Sequence, residues 1–343
     1  MKALVYKGPK ELELMDYAVP IRKDGEVLIK VKACGICGSD FEGYLGKTGR
    51  RIAPMVMGHE FAGEVVETAE SSDFKAGERV VVHPKFYCGE CDYCRNGLTN
   101  ICPSAEFLGV MDKDGGFAEY LSAPERFVFK FDDCIDYTEA SMVEPLAVAY
   151  RATTKIDEEL IRKANHIMVI GAGTIGALVL QVLKLKGAKH VIVSDLSNFR
   201  LERAKEMGAD EVINPGTVEF KAEIAKMTGG KMVDYAFEAV GVSATAAQSL
   251  EALKIGGTVV WVGNAQKIIE TNMQKIVTTE LTIKGTYIYT EDDFLKCLKL
   301  VEEKKIDFAP LISIETGLEN GVDMFKRLTE NKDGKLIKII LKN

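Results

Sequence analysis

The chain has 343 residues, 47% of them hydrophobic, and a formal net charge of −7. That length and apolar content suit a folded protein of two ordinary domains. The negative balance argues against a nucleic-acid groove, where phosphate neutralisation needs a basic stripe. No run of eighteen apolar residues offers a membrane span. The opening Met1-Lys2-Ala3-Leu4-Val5-Tyr6-Lys7-Gly8-Pro9 meets charge and a turn too early for a signal peptide. A cytoplasmic protein is expected, and its eight Cys read as metal ligands or core residues, not disulfides.

Residues 1 to about 145 read as β-rich. Leu28-Ile29-Lys30-Val31-Lys32 alternates apolar and polar, and the Phe61–Val66 and Arg79–Val82 runs do likewise between Gly and Asp punctuation. Many short strands predict a barrel-like or sandwich domain. Within it, Cys34-Gly35-Ile36-Cys37-Gly38-Ser39-Asp40 and Gly58-His59-Glu60 supply a thiolate, an imidazole and a carboxylate, the groups that a catalytic zinc takes from a protein. Ser39 adds a hydroxyl able to carry a proton. The competing reading is a core thiol and a satisfied core histidine.

A sharper signal follows. Cys88, Cys91, Cys94 and Cys102 have the spacing C-x2-C-x2-C-x7-C. Each C-x2 step lets neighbouring thiolates converge on one ion, and four thiolates close a tetrahedral site with no place for substrate. The expectation is a structural zinc holding a polar loop. An iron–sulfur cluster is the alternative, since Pro103 follows Cys102, but the last gap is too long for that pattern.

A second architecture begins near residue 148. The apolar run His166–Ile170 leads into Gly171-Ala172-Gly173-Thr174-Ile175-Gly176, then a helix pattern over Ala177–Lys186, then Val191–Ser194 ending in Asp195, 19 residues past the last glycine. A strand, a G-x-G-x-x-G turn, a helix and a following acid form the dinucleotide fingerprint. Gly171 permits the turn, Gly173 lets the pyrophosphate approach, and Gly176 lets helix and strand pack closely. Asp195 selects NAD by accepting from the ribose hydroxyls and repelling a 2′-phosphate. Arg200 is read as stacking near the adenine or lying in solvent. Strands at Glu211–Ile213, Met232–Phe237, Thr258–Gly263 and Leu281–Gly285 alternate with helices at Val218–Met227 and Ala244–Leu253, which predicts a doubly wound parallel sheet of six strands. Val262 and Gly263, ending the fifth of these strands, join the cofactor-binding candidates. Past residue 290 one amphipathic helix (Phe294, Leu295, Leu298, Val301) and one final strand (Leu336–Leu341) are expected.

On Cys37-Gly38-Ser39-Asp40, Gly58-His59-Glu60, the four-cysteine lobe, Glu144-Pro145-Leu146 and the glycine loop with Asp195, the whole chain resembles a zinc-dependent medium-chain dehydrogenase/reductase. Val143-Glu144-Pro145-Leu146 resembles the polyol branch, the sorbitol and galactitol-1-phosphate dehydrogenases. The resemblance implies a GroES-like β-rich catalytic domain from residues 1–148 and 290–343, with the structural zinc lobe at 86–103, and a Rossmann NAD-binding domain at 149–289. It implies two zincs per subunit. The catalytic one is held by Cys37 and His59, with Glu60 and Glu144 as remaining ligands or as holders of its water, while Cys34 is a core thiol. It further implies reversible oxidation of a secondary alcohol of a polyol or polyol phosphate with NAD, Ser39 passing the proton on, in a homodimer or homotetramer.

Departures bear on the substrate. Where alcohol, threonine and sorbitol dehydrogenases often carry a relay His, this chain has Glu42, a substitute base or a solvated side chain. Ile288 replaces the Arg of the sorbitol dehydrogenase Arg-Tyr pair, and Gly43 replaces a substrate-contacting Tyr. Lys47, Arg50 and Arg51 are either a phosphate anchor or an ordinary surface loop. Sorbitol or L-iditol, butanediol and threonine 3-dehydrogenases remain alternatives, as does a non-catalytic protein that uses the cysteine lobe to bind a partner.

Overall fold

The computed structural model describes residues 1–111 and 113–343. Two sheets organise them. The first has seven strands, and its hydrogen-bonded path runs Val128–Lys130, Arg79–Val82, Glu60–Glu67, Glu26–Gly35, Lys338–Lys342, Ile312–Gly317. Tyr120–Pro124 pairs with the first half of Glu26–Gly35, and the C-terminal strand pairs with its second half. The long central strand therefore changes neighbours along its length. Register shifts at Leu28/Ile29 and Val31/Ala33 bend it, and Val27, Ile29, Val31 and Ala33 bury one face.

The second sheet contains Ile167–Ile170 (β1), Val191–Ser194 (β2), Glu211–Ile213 (β3), Val233–Glu238 (β4), Leu253–Trp261 (β5) and Thr282–Gly285 (β6). All pairings are parallel, and the order is β3-β2-β1-β4-β5-β6. The central strands β1 and β2 are short, apolar and fully buried because helices cover both faces. The order reverses between β1 and β4, and that switch point opens a crevice at the carboxyl ends.

Between the sheets lies the helix Val143–Thr153, which runs through residue 148. Its Val143, Leu146, Ala147 and Ala149 share one core with Leu178, Val182, Phe294 and Leu298 from the helices Thr174–Leu185 and Glu291–Glu302. The C-terminal region is richer than the single helix and strand expected. A strand, Ile312–Gly317, and a helix, Gly321–Glu330, precede the last strand. The strand escaped notice because it is only half buried, so no strong alternation marks it. The helix buries just Gly321, Met324 and Phe325, an i, i+3, i+4 set that begins on a glycine. No helix among the described residues is long and apolar enough to cross a membrane.

One buried titratable residue, His83, sits among aromatic rings of the core. His83 is 1% exposed, with Tyr289 and Phe294 rings at 5.1 and 5.4 Å. Neither of its ring nitrogens has a hydrogen-bond partner among the described residues. Burial among these rings holds its pKa down at about 4. The unfolded imidazole takes its proton near pH 6.5, the folded one near 4, so in that window the unfolded chain binds more protons and stability falls as pH falls. About 3 kcal/mol should be lost across it. Thermal melts from pH 7 to 4 should show a drop in Tm that His83→Phe reduces; equal acid sensitivity in the two proteins would remove His83 from the account.

Candidate active site

The antiparallel register of the first sheet assembles the metal-type cluster. Gly35 lies opposite Glu60 and Cys34 opposite Phe61. Two residues past Gly35 the chain reaches Cys37, and one residue before Glu60 is His59. Ligand atoms of Cys37, His59 and Glu60 consequently lie within 4.8 Å of one another. One sulfur, one nitrogen and one oxygen donor converge, as a three-ligand catalytic zinc site requires. Cys34 is outside this group. It is buried in the strand core, and burial pushes its thiol pKa well up.

Asp40, quoted above only as part of a motif, orients two of the three donors. Its Oδ2 accepts from the Cys37 backbone N–H at 3.2 Å, and its Oδ1 lies 3.4 Å from His59 Nδ1. The same Oδ1 accepts from Arg51 Nη2 at 2.9 Å. Burial alone would raise the Asp40 carboxyl, but the His59 imidazole and Arg51 guanidinium overturn that and hold it well below the usual carboxylate range. Ser39 is exposed beside this set, its Oγ accepting from Arg51 Nη2 at 3.4 Å.

Two further residues had no local signal. Lys338, 2% exposed, donates to Glu60 Oε2 at 2.6 Å and to Ile36 O at 3.1 Å. It arrives because the last strand pairs Ile340 with Gly35. Tyr289, fully buried, donates to Glu144 Oε1 at 2.9 Å. Glu144 opens the helix Val143–Thr153 and is not in the three-donor group. Burial pushes its pKa up to about 7, against the lowering effect of the His59 charge.

The four-cysteine lobe fits a closed site. Its Sγ atoms lie within 4.8 Å of one another, with Cys88–Cys94 and Cys91–Cys102 at 3.9 Å and Cys102–Cys88 at 3.6 Å. A tetrahedron with zinc–sulfur bonds of about 2.3 Å has edges of about 3.8 Å.

At the crevice, β1 is followed by Gly171, whose φ of 93° makes the tight turn. A Cβ on Gly176 would lie 1.7 Å from Gly171 O, so only glycine fits there. Gly173 caps the helix Thr174–Leu185 without any side-chain hydrogen bond, which leaves the first-turn N–H groups for a pyrophosphate. Asp195 is braced at the end of β2, accepting from Ala172 N at 2.7 Å and Ser197 N at 2.8 Å. Across the crevice, Val262 N and Gly263 N donate to Glu238 O, while the buried Glu238 carboxylate accepts from Val240 N and Gly241 N. Ile175 packs on the interdomain core, and the Thr174 hydroxyl donates to Ile337 O at 3.2 Å. Arg200 does not lie free in solvent. Its guanidinium donates to Gly334 O and Leu336 O, tying the C-terminal segment to the cofactor sheet.

The loop before Gly58 divides as the sequence did not suggest. Arg51 is turned inward onto Asp40, its side chain 3% exposed. Lys47 pairs with Glu42 at 3.2 Å, which makes Glu42 part of an open surface pair. Arg50 instead lines a cavity of about 630 Å³ together with Lys85, Phe107 and Tyr287. Phe107 lies against His59, ring centroids 5.5 Å apart, so the cavity adjoins the donor cluster.

Comparison with known proteins agrees with this geometry. Residues 23–133 match the family described as "Alcohol dehydrogenase GroES-like domain" and residues 174–303 that described as "Zinc-binding dehydrogenase". The chain is 34% identical to sorbitol dehydrogenase of Bacillus subtilis over 338 residues, covering 97% of this chain and 95% of that one. It is 36% identical to (R,R)-butanediol dehydrogenase of the same organism over 335 residues, 94% of each. The crystal structure of galactitol-1-phosphate dehydrogenase from Escherichia coli superposes with a TM-score of 0.91 at 25% identity, covering 100% of both chains. A GroES-like β-rich domain joined to a Rossmann-type domain, with cysteine, histidine and carboxylate donors where the two meet, places this chain in the zinc-dependent medium-chain dehydrogenase family.

Proposed function

We propose that the protein oxidises a secondary alcohol of a polyol or polyol phosphate to the ketone, reversibly, with NAD as hydride acceptor. The observation that carries this reading is the convergence of Cys37, His59 and Glu60 beside a polar cavity. Zinc held by these residues would supply a Lewis acid that polarises the substrate oxygen, and NAD at the glycine loop would supply the hydride-accepting ring.

The chain's own residues do the rest. Asp40 fixes the Cys37 turn and faces His59, so the donors need not reorganise when substrate arrives. Lys338 holds the Glu60 carboxylate by charge, and Tyr289 holds Glu144. Ser39, exposed next to Cys37, is the hydroxyl placed to take the substrate proton towards solvent. Tyr287 and Tyr289 follow directly on the carboxyl end of β6, the edge of the sheet where substrates of such folds bind. A cavity lined by Arg50, Lys85 and Tyr287 suits a polyhydroxylated molecule better than an apolar alcohol. The sorbitol dehydrogenase relative supports a polyol, and the galactitol-1-phosphate dehydrogenase structure supports a phosphorylated one. We also infer a cytoplasmic homodimer or homotetramer, with β6 as the sheet edge available for pairing.

Substrate class is tested by NAD reduction with free and phosphorylated hexitols, threonine and 2,3-butanediol. Turnover of hexitols or their phosphates is expected; turnover of threonine or butanediol alone would move the protein to another branch. Metal analysis should find two zincs per chain. Cys37→Ser should retain one and lose turnover with little change in Tm, whereas Cys94→Ser should also lose one but melt earlier. Asp195→Gly should raise KM for NAD by about tenfold to a hundredfold, the worth of a charged hydrogen bond, and admit NADP. An unchanged cofactor ratio would take that role from Asp195.

A further inference from the structure

Arg50 and Lys85 are far apart in sequence, yet both reach the ring of Tyr287. The Arg50 guanidinium carbon lies 5.8 Å and Lys85 Nζ 5.1 Å from the ring centroid. Arg50 Nη2 donates to the Tyr287 hydroxyl at 2.7 Å. From the cysteine lobe, Asn100 braces the other two: its carbonyl accepts from Lys85 Nζ and its Nδ2 donates to Tyr287 O at 2.8 Å. The Tyr287 side is fixed as well, because Ile288 takes a left-handed φ of 49°, a conformation that a β-branched residue adopts only under strain.

Two like charges are thus held together at the wall of one cavity. No carboxylate among the described residues forms an ion pair with either of them, while the acid that lines the same cavity, Glu106, is paired to Lys113 at 2.8 Å. Lys85 is 7% exposed, and its burial, reinforced by the Arg50 charge, depresses its pKa although the lobe thiolates act the other way. With no described carboxylate paired to either cation and only the lobe thiolates opposing Lys85, this ligand-sized cavity presents positive charge to an anion. Phe107 lines the same cavity and packs on His59, so a molecule with a hydroxyl at the donor cluster can extend its far end towards these cations.

We propose that Arg50 and Lys85, held on Tyr287, seat the terminal anionic group of the substrate, a phosphate or a carboxylate. The proposal rests on the polyol dehydrogenase reading above and narrows it to acidic polyol derivatives. It also replaces the Lys47–Arg50–Arg51 anchor suggested by the sequence with one that draws its second cation from beside the cysteine lobe.

Two measurements test it. In the first, inorganic phosphate is titrated calorimetrically into zinc-loaded protein saturated with NADH, which fills the dinucleotide loop. Wild type should bind phosphate, and Arg50→Met and Lys85→Met should each weaken binding by about tenfold or more. In the second, kcat/KM is compared for a hexitol, its 1-phosphate and the corresponding hexonate. The ratio of anionic to neutral substrate should fall by about tenfold to a hundredfold in both variants, and the anion whose ratio falls identifies the group seated. Absence of phosphate binding by wild type, or variants that bind like wild type, would overturn the seat. So would loss of the lobe zinc from Lys85→Met with full phosphate binding by Arg50→Met, which would make Lys85 a counter-charge for the thiolates. Variant-sensitive phosphate binding with no turnover of any hexitol derivative would keep the seat and discard the polyol reading instead.

Discussion

The site depends on one buried carboxylate. Asp40 has no exposed surface, yet it stays ionised because the Arg51 guanidinium and the His59 ring both face it. Removing one partner from a buried ion pair costs about 3–5 kcal/mol, so neither Asp40 nor Arg51 is free to change alone. Through its second oxygen Asp40 also fixes the Cys37 turn. Thiolate and imidazole are therefore positioned by the same group, and their separation is set before any metal arrives. A preorganised donor set of this kind avoids the reorganisation that a flexible one would undergo on binding.

Strand register carries that constraint outward. Gly35 opposite Glu60 brings the two halves of the donor set together, and Ile340 opposite Gly35 brings Lys338 to the Glu60 carboxylate. The C-terminal strand thus completes a site begun three hundred residues earlier. The cofactor sheet is tied to it in turn, since Arg200 and Thr174 bind backbone carbonyls of the segment that precedes this strand. Beyond β6, the chain delivers Tyr287 to the cavity and Tyr289 to Glu144. Crevice, donor cluster and cavity are connected by short covalent paths and by hydrogen bonds, not only by packing.

Much of this was legible in the sequence because its signals are local. The glycine loop and the C-x2-C-x2-C run each occupy a few consecutive residues with a fixed spacing, each strand of the βα rhythm is a short local run, and the sheet and the sulfur tetrahedron follow from them. Residues whose role depends on long-range pairing were not legible. Lys338 reads as one more polar position in a strand, and only the register shows it buried on a carboxylate. Arg51 and Arg50 are neighbours with the same chemistry, but one faces a buried acid and the other a cavity. Lys85 lies in a two-residue strand with no motif around it. The helix Gly321–Glu330 escaped because three buried residues leave a short apolar stripe.

The central claim is that two unlike donor sets, one of four thiolates and one of thiolate, imidazole and carboxylate, coexist in each chain. Zinc-edge X-ray absorption on the fully loaded protein tests it most directly. Four sulfurs at one ion and one at the other average to about 2.5 sulfurs per zinc, with nitrogen or oxygen completing the shell. That average, at two zincs per chain, is the predicted result. A shell of four sulfurs with a single zinc per chain would mean that Cys37, His59 and Glu60 hold no metal, and would contradict the account at its foundation.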